Sequence, residues 1–304
     1  MGTKPLGDVS HLVAGELEQL SEGHTFTEGP VWSPREQCLF FTDVPNNAIH
    51  RWTRADGVQT YRQPSDRANG LTVDRDGLLI ACEHLTLSVT RTELDGSRTT
   101  LADNYEGKEL NGPNDVIVRS DGAIYFSDPW STRVGPPWGV DRPAQLDFQG
   151  LFMIPAGGDD VVAAAPDFVS PNGLALSPDE TILYANDSKT CEIRAFDVAA
   201  DGALSSSRVI GQIHGEGSEV MEGRGDGARF PPPDGMKVDV EGNVYCTGPF
   251  GVWVFSPAGE HIGIIEVPQV TGNFAFGGER GDTMFICSTS HVHALPMAVR
   301  GAGL

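Results

Sequence analysis

The chain of 304 residues has few basic side chains, and its cysteines are isolated. Its 21 Lys and Arg stand against 42 Asp and Glu, so the net charge is −21. Nucleic-acid binding needs a basic surface, and we therefore expect no nucleic-acid partner. The five cysteines are single and form no CxxC pair (Cys38, Cys82, Cys191, Cys246 and Cys287). This pattern disfavours a zinc–thiolate site or a disulfide framework.

Long apolar segments are also missing from the sequence. No stretch of about 20 apolar residues occurs, and the first residues contain no secretory apolar core. We expect no membrane span and a cytoplasmic protein, or a periplasmic one if a leader precedes this chain. The Gly-x-Ser-x-Gly motif is absent too, which disfavours a hydrolase built on a serine nucleophile elbow.

The sequence does contain a repeated motif, which is clearest at Asn114. Asn114 precedes a short apolar strand, the turn Ser120-Asp-Gly122 follows, and a second strand runs over residues 123–127. Gly accepts a positive φ, and the Asp side chain forms hydrogen bonds with its own backbone. The motif therefore predicts a β-hairpin with a side-chain oxygen at its start.

The motif occurs six times, and each copy begins with a carboxylate or carboxamide residue. The six starting residues are Glu28, Asn69, Asn114, Asn172, Asp234 and Asn273. Successive starting residues are 39–62 residues apart. Repeats of about this length with several short strands are typical of propeller blades. The sequence therefore predicts an all-β fold, a six-bladed β-propeller, with residues 1–304 as one domain.

The last predicted blade has too few strands, because only seven residues follow its third strand. An unpaired edge would remain unless the ring closes. We predict that the N-terminal segment around residues 15–22 supplies the missing strand.

The starting residues of the blades are expected to meet at one face of the disc, beside the axis. We call this face, together with the loops between second and third strands, the mouth. Four of its residues form an all-oxygen set with two carboxylates: Glu28, Asn114, Asn172 and Asp234. Oxygen ligands favour one divalent cation, calcium first, with magnesium, manganese or zinc as alternatives. Simple capping of loop-to-strand turns is the competing interpretation.

Four segments resemble the gluconolactonase family, which includes senescence marker protein (regucalcin). They are Glu28-Gly-Pro-Val-Trp32, Asn111-Gly-Pro-Asn-Asp115, Pro171-Asn-Gly-Leu-Ala-Leu-Ser177 and Pro233-Asp-Gly-Met-Lys-Val-Asp239. The resemblance spans residues 26–297 and implies a six-bladed propeller with one divalent metal on its axis. By this resemblance Glu28, Asn172 and Asp234 match the metal ligands, and Asn114 matches a fourth ligand of related members.

The resemblance also implies a substrate, a sugar lactone such as gluconolactone. Arg67 and Asn69 look like the Arg-x-Asn pair that contacts the sugar in the regucalcin branch. Glu83, His84, Asp128 and Trp130 lie in or beside the loops at the mouth, and we predict that they contact substrate. Asp234 is the predicted catalytic carboxylate that positions or deprotonates water, with His84 as the alternative base.

Two insertions, 129–150 and 211–233, are longer than regucalcin-like members need and are expected to reshape the mouth. Two other functions remain open from the residues. One is a metal-dependent esterase or phosphotriesterase, which an apolar mouth would favour. The other is a non-enzymatic propeller that binds protein partners, which would need no oxygen ring. The oligomeric state is left undetermined.

Overall fold

A computed structural model describes residues 7–213 and 231–303. A 3-10 helix at Ser10–Leu12 precedes strand β1 (Glu18–Glu22). The first two blades then follow in chain order: β2 (Thr27–Ser33), β3 (Cys38–Asp43), β4 (Ala48–Thr53), β5 (Gly57–Arg62), β6 (Ala68–Val73), β7 (Leu79–Glu83), β8 (Ser88–Thr92) and β9 (Arg98–Ala102). A small hairpin, β10 (Asn104–Tyr105) and β11 (Lys108–Glu109), separates them from the third blade.

Blades three and four contain β12 (Val116–Val118), β13 (Ile124–Asp128), β14 (Gln149–Ile154), β15 (Val162–Phe168), β16 (Pro171–Leu176), β17 (Ile182–Asp187), β18 (Glu192–Val198) and β19 (Leu204–Gln212). A second 3-10 helix, Trp130–Thr132, lies in the loop before β14. Blades five and six contain β20 (Met236–Val238), β21 (Val244–Gly248), β22 (Gly251–Phe255), β23 (His261–Glu266), β24 (Thr271–Gly277), β25 (Thr283–Ser288) and β26 (His291–Pro296).

Every blade is a four-stranded antiparallel sheet, so the prediction of a six-bladed propeller is confirmed. The sixth sheet has the order β1-β26-β25-β24, with Glu18 opposite Ala294 and Glu22 opposite His291. The predicted closure by an N-terminal strand is therefore also confirmed, since pairing with β1 covers the edge that β26 would otherwise leave open.

The core lies between neighbouring blades, where the alternating apolar residues of one sheet meet those of the next. At the closure, Trp32 of blade one stacks on Phe285 of blade six with ring centroids 5.4 Å apart. Between blades five and six, Tyr245, Phe274 and Met284 are fully buried. Among the described residues, no helix is both long and apolar enough to cross a membrane.

Candidate metal and substrate site

The starts of the inner strands are tied to one another by backbone hydrogen bonds between neighbouring blades. The N–H of Gly70 donates to the carbonyl of Asn114 at 2.8 Å, and the N–H of Gly173 donates to the carbonyl of Asp234 at 3.1 Å. Glycine is needed at 173 because a Cβ there would lie 2.2 Å from the Asp234 carbonyl oxygen. Residues far apart in sequence are thus held at one place.

Two of the predicted metal ligands present oxygens that have no hydrogen-bond partner among the described residues. Glu28 is buried, and its Oε2 accepts the Gly29 N–H at 2.7 Å while Oε1 has no partner. Asn172 donates from Nδ2 to Ser188 Oγ at 3.1 Å, which leaves its Oδ1 without a partner. Ser188 Oγ donates to the Pro233 carbonyl at 2.6 Å, so Ser188 fixes the orientation of the Asn172 amide.

Asn114 and Asp234 complete the predicted ligand set. Asn114 is buried, whereas Asp234 is half-buried at the start of blade five. The backbone of Asp234 is held on both sides, because its N–H donates to Thr247 Oγ1 at 3.0 Å and its carbonyl accepts Asn186 Nδ2 at 2.6 Å. The backbone of Asp234 is therefore fixed from both sides.

Two charged residues at the centre were not predicted from the sequence, Asp115 and Lys237. Asp115 is buried, and burial raises the pKa of its carboxyl, opposed by the positive charge of Lys237. Lys237 Nζ donates to the Met236 carbonyl at 2.9 Å and to Asn273 Oδ1 at 3.3 Å. Farther along the inner strands Lys237 also lines a pocket with Leu71 and Val116.

The electrostatics of this centre favour a bound cation. Burial raises the pKa of Glu28 to about 7. The hydrogen bond from the Gly29 N–H opposes this rise, and the negative charge of Asp115 adds to it. Desolvation, then the charges of Glu28 and Asp115, raise the pKa of Asp234 well above its usual range. Three carboxylates and one ammonium leave a formal charge of −2, which one divalent ion would neutralise. The residues present therefore fit a divalent cation.

Arg67 and Asn69 lie where the sequence predicts them, at the start of blade two. Asn69 is buried, and its Oδ1 has no hydrogen-bond partner among the described residues. Arg67 is half-buried and donates from Nη1 to the Gly139 carbonyl at 3.1 Å. The insertion at 129–150 thus reaches the mouth and contacts Arg67.

The same insertion fixes His84. The Nδ1 of His84 lies 2.9 Å from the Trp138 carbonyl, an acceptor, so Nδ1 carries the proton and Nε2 is the basic nitrogen. His84 is buried, and burial lowers its pKa to about 4. Its Nε2 has no partner among the described residues, which keeps His84 available as the alternative base.

Aromatic side chains of the insertion contribute to the mouth. Trp138 meets Phe26 edge to face, with ring centroids 5.1 Å apart. Trp130 is 42% exposed and donates from Nε1 to Asn111 Oδ1 at 2.9 Å. A substrate contact by Trp130 stays a prediction. Of the second predicted insertion, residues 214–230 lie outside the described part of the chain.

Glu83 and Asp128 have structural partners that the sequence analysis missed. Glu83 is fully buried, pairs with Arg62 at 2.8 Å and Arg98 at 3.1 Å, and accepts hydrogen bonds from Thr86 and Thr90. These contacts favour a structural role within blade two and, through Arg62, between blades one and two. Substrate binding by Glu83 stays a prediction.

Asp128 is also fully buried, and it accepts the N–H groups of Asn111 at 2.8 Å and Gly112 at 2.7 Å. Asp43 and Asp187 receive paired backbone N–H groups in the same way at the ends of their own second strands. This repetition favours a structural role, in which each carboxylate holds the segment before the first strand of its blade. We call this arrangement a corner. Substrate contact by Asp128 stays a prediction.

Comparison with known proteins places this geometry in one family. The family model described as "SMP-30/Gluconolactonase/LRE-like region" matches residues 26–290. A gluconolactonase of Zymomonas mobilis is 31% identical over 303 residues, covering 92% of this chain and 81% of that protein. A 6-deoxy-6-sulfogluconolactonase of Pseudomonas putida is 29% identical, covering 86% of this chain and 82% of its own length.

Solved structures agree with this assignment. A gluconolactonase of Xanthomonas campestris superposes with a TM-score of 0.85 at 30% identity, covering 95% of this chain and 92% of that one. A calcium-binding regucalcin of Agrobacterium tumefaciens has a TM-score of 0.74 at 19% identity, covering 96% of each chain, and shares the fold.

Proposed function

Because the chain belongs to the SMP-30/gluconolactonase/LRE-like family, we propose that it hydrolyses sugar lactones with the help of one divalent cation on the propeller axis. The observation that carries this proposal is the oxygen ring, in which Glu28 Oε1 and Asn172 Oδ1 have no partner among the described residues. The relatives named gluconolactonase and 6-deoxy-6-sulfogluconolactonase support the substrate class.

Four side chains would hold the cation: Glu28, Asn114, Asn172 and Asp234. Calcium accepts about 6–8 oxygen ligands, so a four-residue set leaves positions for substrate and water. The calcium-binding regucalcin of the same fold supports calcium as the first choice. When bound, the ion would polarise the lactone carbonyl as a Lewis acid and stabilise the charge that develops on its oxygen.

The chain's own residues supply the remaining steps. Asp234 orients a water molecule toward the carbonyl carbon and accepts its proton. The water oxygen forms the new bond to carbon, the ring C–O bond breaks, and the proton passes to the departing ring oxygen as a hydroxyl. Ser188 keeps the amide oxygen of Asn172 pointed at the centre, so this geometry is set before substrate arrives.

Arg67 and Asn69 are the proposed sugar contacts. Asn69 Oδ1 is an acceptor without a partner among the described residues, and a substrate hydroxyl would satisfy it. The Arg67 guanidinium donates hydrogen bonds only, so it suits hydroxyl or ring oxygens. A polyol fits this pair better than an apolar ester does.

The test of the proposed function is metal removal and restoration on a substrate panel. Chelated protein should lose aldonolactone hydrolysis, measured as initial rates corrected for spontaneous hydrolysis, and one equivalent of calcium should restore it. A panel containing aryl esters and a phosphotriester distinguishes the alternative enzyme. Full lactonase activity after complete chelation would refute metal dependence, and turnover of the phosphotriester alone would refute the substrate class.

Replacing Asn69 with alanine should weaken lactone turnover while metal affinity is retained. The change removes an acceptor for a substrate hydroxyl, which corresponds to about 1–3 kcal/mol of transition-state binding. The measurement is kcat/KM for gluconolactone together with calcium titration by calorimetry. Asn104→Ala, on the exposed β10–β11 hairpin, is the control and should match the parent. Unchanged kcat/KM in Asn69→Ala would remove Asn69 from the substrate site.

A further inference from the structure

A second group of metal-ligating side chains lies away from the axis, at the seam where the ring closes. His24 follows the closing strand β1, Asp43 ends β3, and His50 lies on β4. One ligand atom from each of the three lies within 4.8 Å of the other two. From this arrangement we propose that His24, Asp43 and His50 bind a borderline transition-metal ion of the Zn²⁺ class.

The hydrogen bonds of His24 support the proposal. Its Nε2 lies 3.0 Å from Ser21 Oγ, while its Nδ1 faces Asp43 Oδ2 at 3.7 Å, too long for a hydrogen bond. Metal-bound imidazoles usually bond through their other ring nitrogen to an oxygen, which fixes tautomer and orientation. His24 already has that arrangement, with Nδ1 as the nitrogen turned toward the carboxylate.

His50 supplies the second nitrogen. Its Nδ1 is buried and has no hydrogen-bond partner among the described residues. Phe41 confines both imidazoles, since its ring lies 5.2 Å from each of them. Burial, and then the neighbouring His24, lowers the pKa of His50, which favours the neutral imidazole that binds metal.

Asp43 also has a structural role, which makes comparison with its counterparts informative. Its oxygens accept the N–H groups of Thr25 at 3.0 Å and Phe26 at 3.2 Å, and Asn46 donates to Oδ2 at 2.7 Å. Asp128 and Asp187 make similar corners, but in the described part of the chain only Asp43 belongs to such a three-residue group. The two histidines are therefore additional to what a corner needs.

Two imidazoles and one carboxylate favour Zn²⁺ over calcium, with water as the fourth ligand. The site would also link the closing strand to blade one. His24 is hydrogen-bonded to Ser21 of β1, whereas Asp43 and His50 belong to blade one. A bound ion would fasten the closing strand to the neighbouring blade and so raise the unfolding temperature.

The experiment uses the full chain, chelated and then kept in excess calcium so that the axial site is filled. Zn²⁺ is titrated by calorimetry and by thermal unfolding, and Co²⁺ serves as a visible-absorption probe of a nitrogen and oxygen site. We expect one Zn²⁺ per chain and a higher unfolding temperature. His24→Gln and His50→Gln should each weaken binding by about tenfold or more. His261→Gln, an imidazole in blade five, should leave it unchanged.

Absence of one-equivalent Zn²⁺ or Co²⁺ binding to the wild-type chain in excess calcium would overturn the proposal. So would binding that survives in both His24→Gln and His50→Gln, because the ion would then lie elsewhere. If one of the two variants does not fold, the other variant and the wild-type cobalt spectrum decide the question. Lactonase activity is not a readout here, so failure of this site and failure of the axial site remain distinguishable.

Discussion

Asp234→Asn should bind calcium but lose most of its turnover. Asparagine keeps an oxygen at the ligand position, so much of the metal occupancy at saturating calcium should remain. It is a poor proton acceptor, however, and loss of a positioned general base typically costs about 10²–10⁴-fold in rate. The two properties are measured separately, metal binding by calorimetric titration and kcat by initial rates at saturating calcium.

Glu28→Gln is the matched control, because it too removes one carboxylate charge and keeps a ligand oxygen. Glu28 is buried with Oε2 bonded to Gly29, whereas Asp234 is half-buried. We expect both variants to bind calcium more weakly, and Asp234→Asn to lose far more kcat. Equal kcat in the two variants at full occupancy would leave Asp234 a ligand only, and His84→Gln would then be tested as the base.

The blades could be predicted from the sequence because each repeats the same local chemistry. A polar residue, a strand, a tight turn and a second strand are all short-range features, which periodicity and turn residues report well. Closure by β1 came from a different argument, that β26 would otherwise keep a free edge. Register then placed Glu28, Asn172 and Asp234 at one face without any knowledge of distances.

The side-chain network around those residues could not be predicted in the same way. Asp115 and Lys237 follow the predicted ligands by one and three residues and look like ordinary strand residues in sequence. Ser188 acts on Asn172 through a side-chain bond that no local pattern encodes. Acidic residues that end second strands pose the opposite difficulty, because the sequence does not tell a substrate contact from a corner such as Asp128.

Lys237→Met should tighten calcium binding and destabilise the metal-free protein. The ammonium lies near three carboxylates and lowers the pKa of each relative to burial alone. Removing it changes the formal charge of the empty centre from −2 to −3, and the attraction that offsets the repulsion among the carboxylates is lost. The ammonium would also repel a bound ion of charge +2, and the substitution removes that repulsion. Protonation of a carboxylate would offset part of this gain, and we expect the calcium Kd to fall by about tenfold.

The calcium Kd is measured by calorimetry, and unfolding temperatures are compared with and without calcium. The metal-free variant should unfold at a lower temperature than the parent, and the rise on adding calcium should be larger. Lys108→Met, on the exposed strand β11, changes the net charge equally at a remote position and should alter neither quantity. Weaker calcium binding in Lys237→Met would mean that Lys237 shapes the ligand ring through its bond to Asn273 rather than acting as a competing charge. An unchanged Kd would mean that calcium binds too far from the Lys237 ammonium to be held by the predicted ligands on the axis.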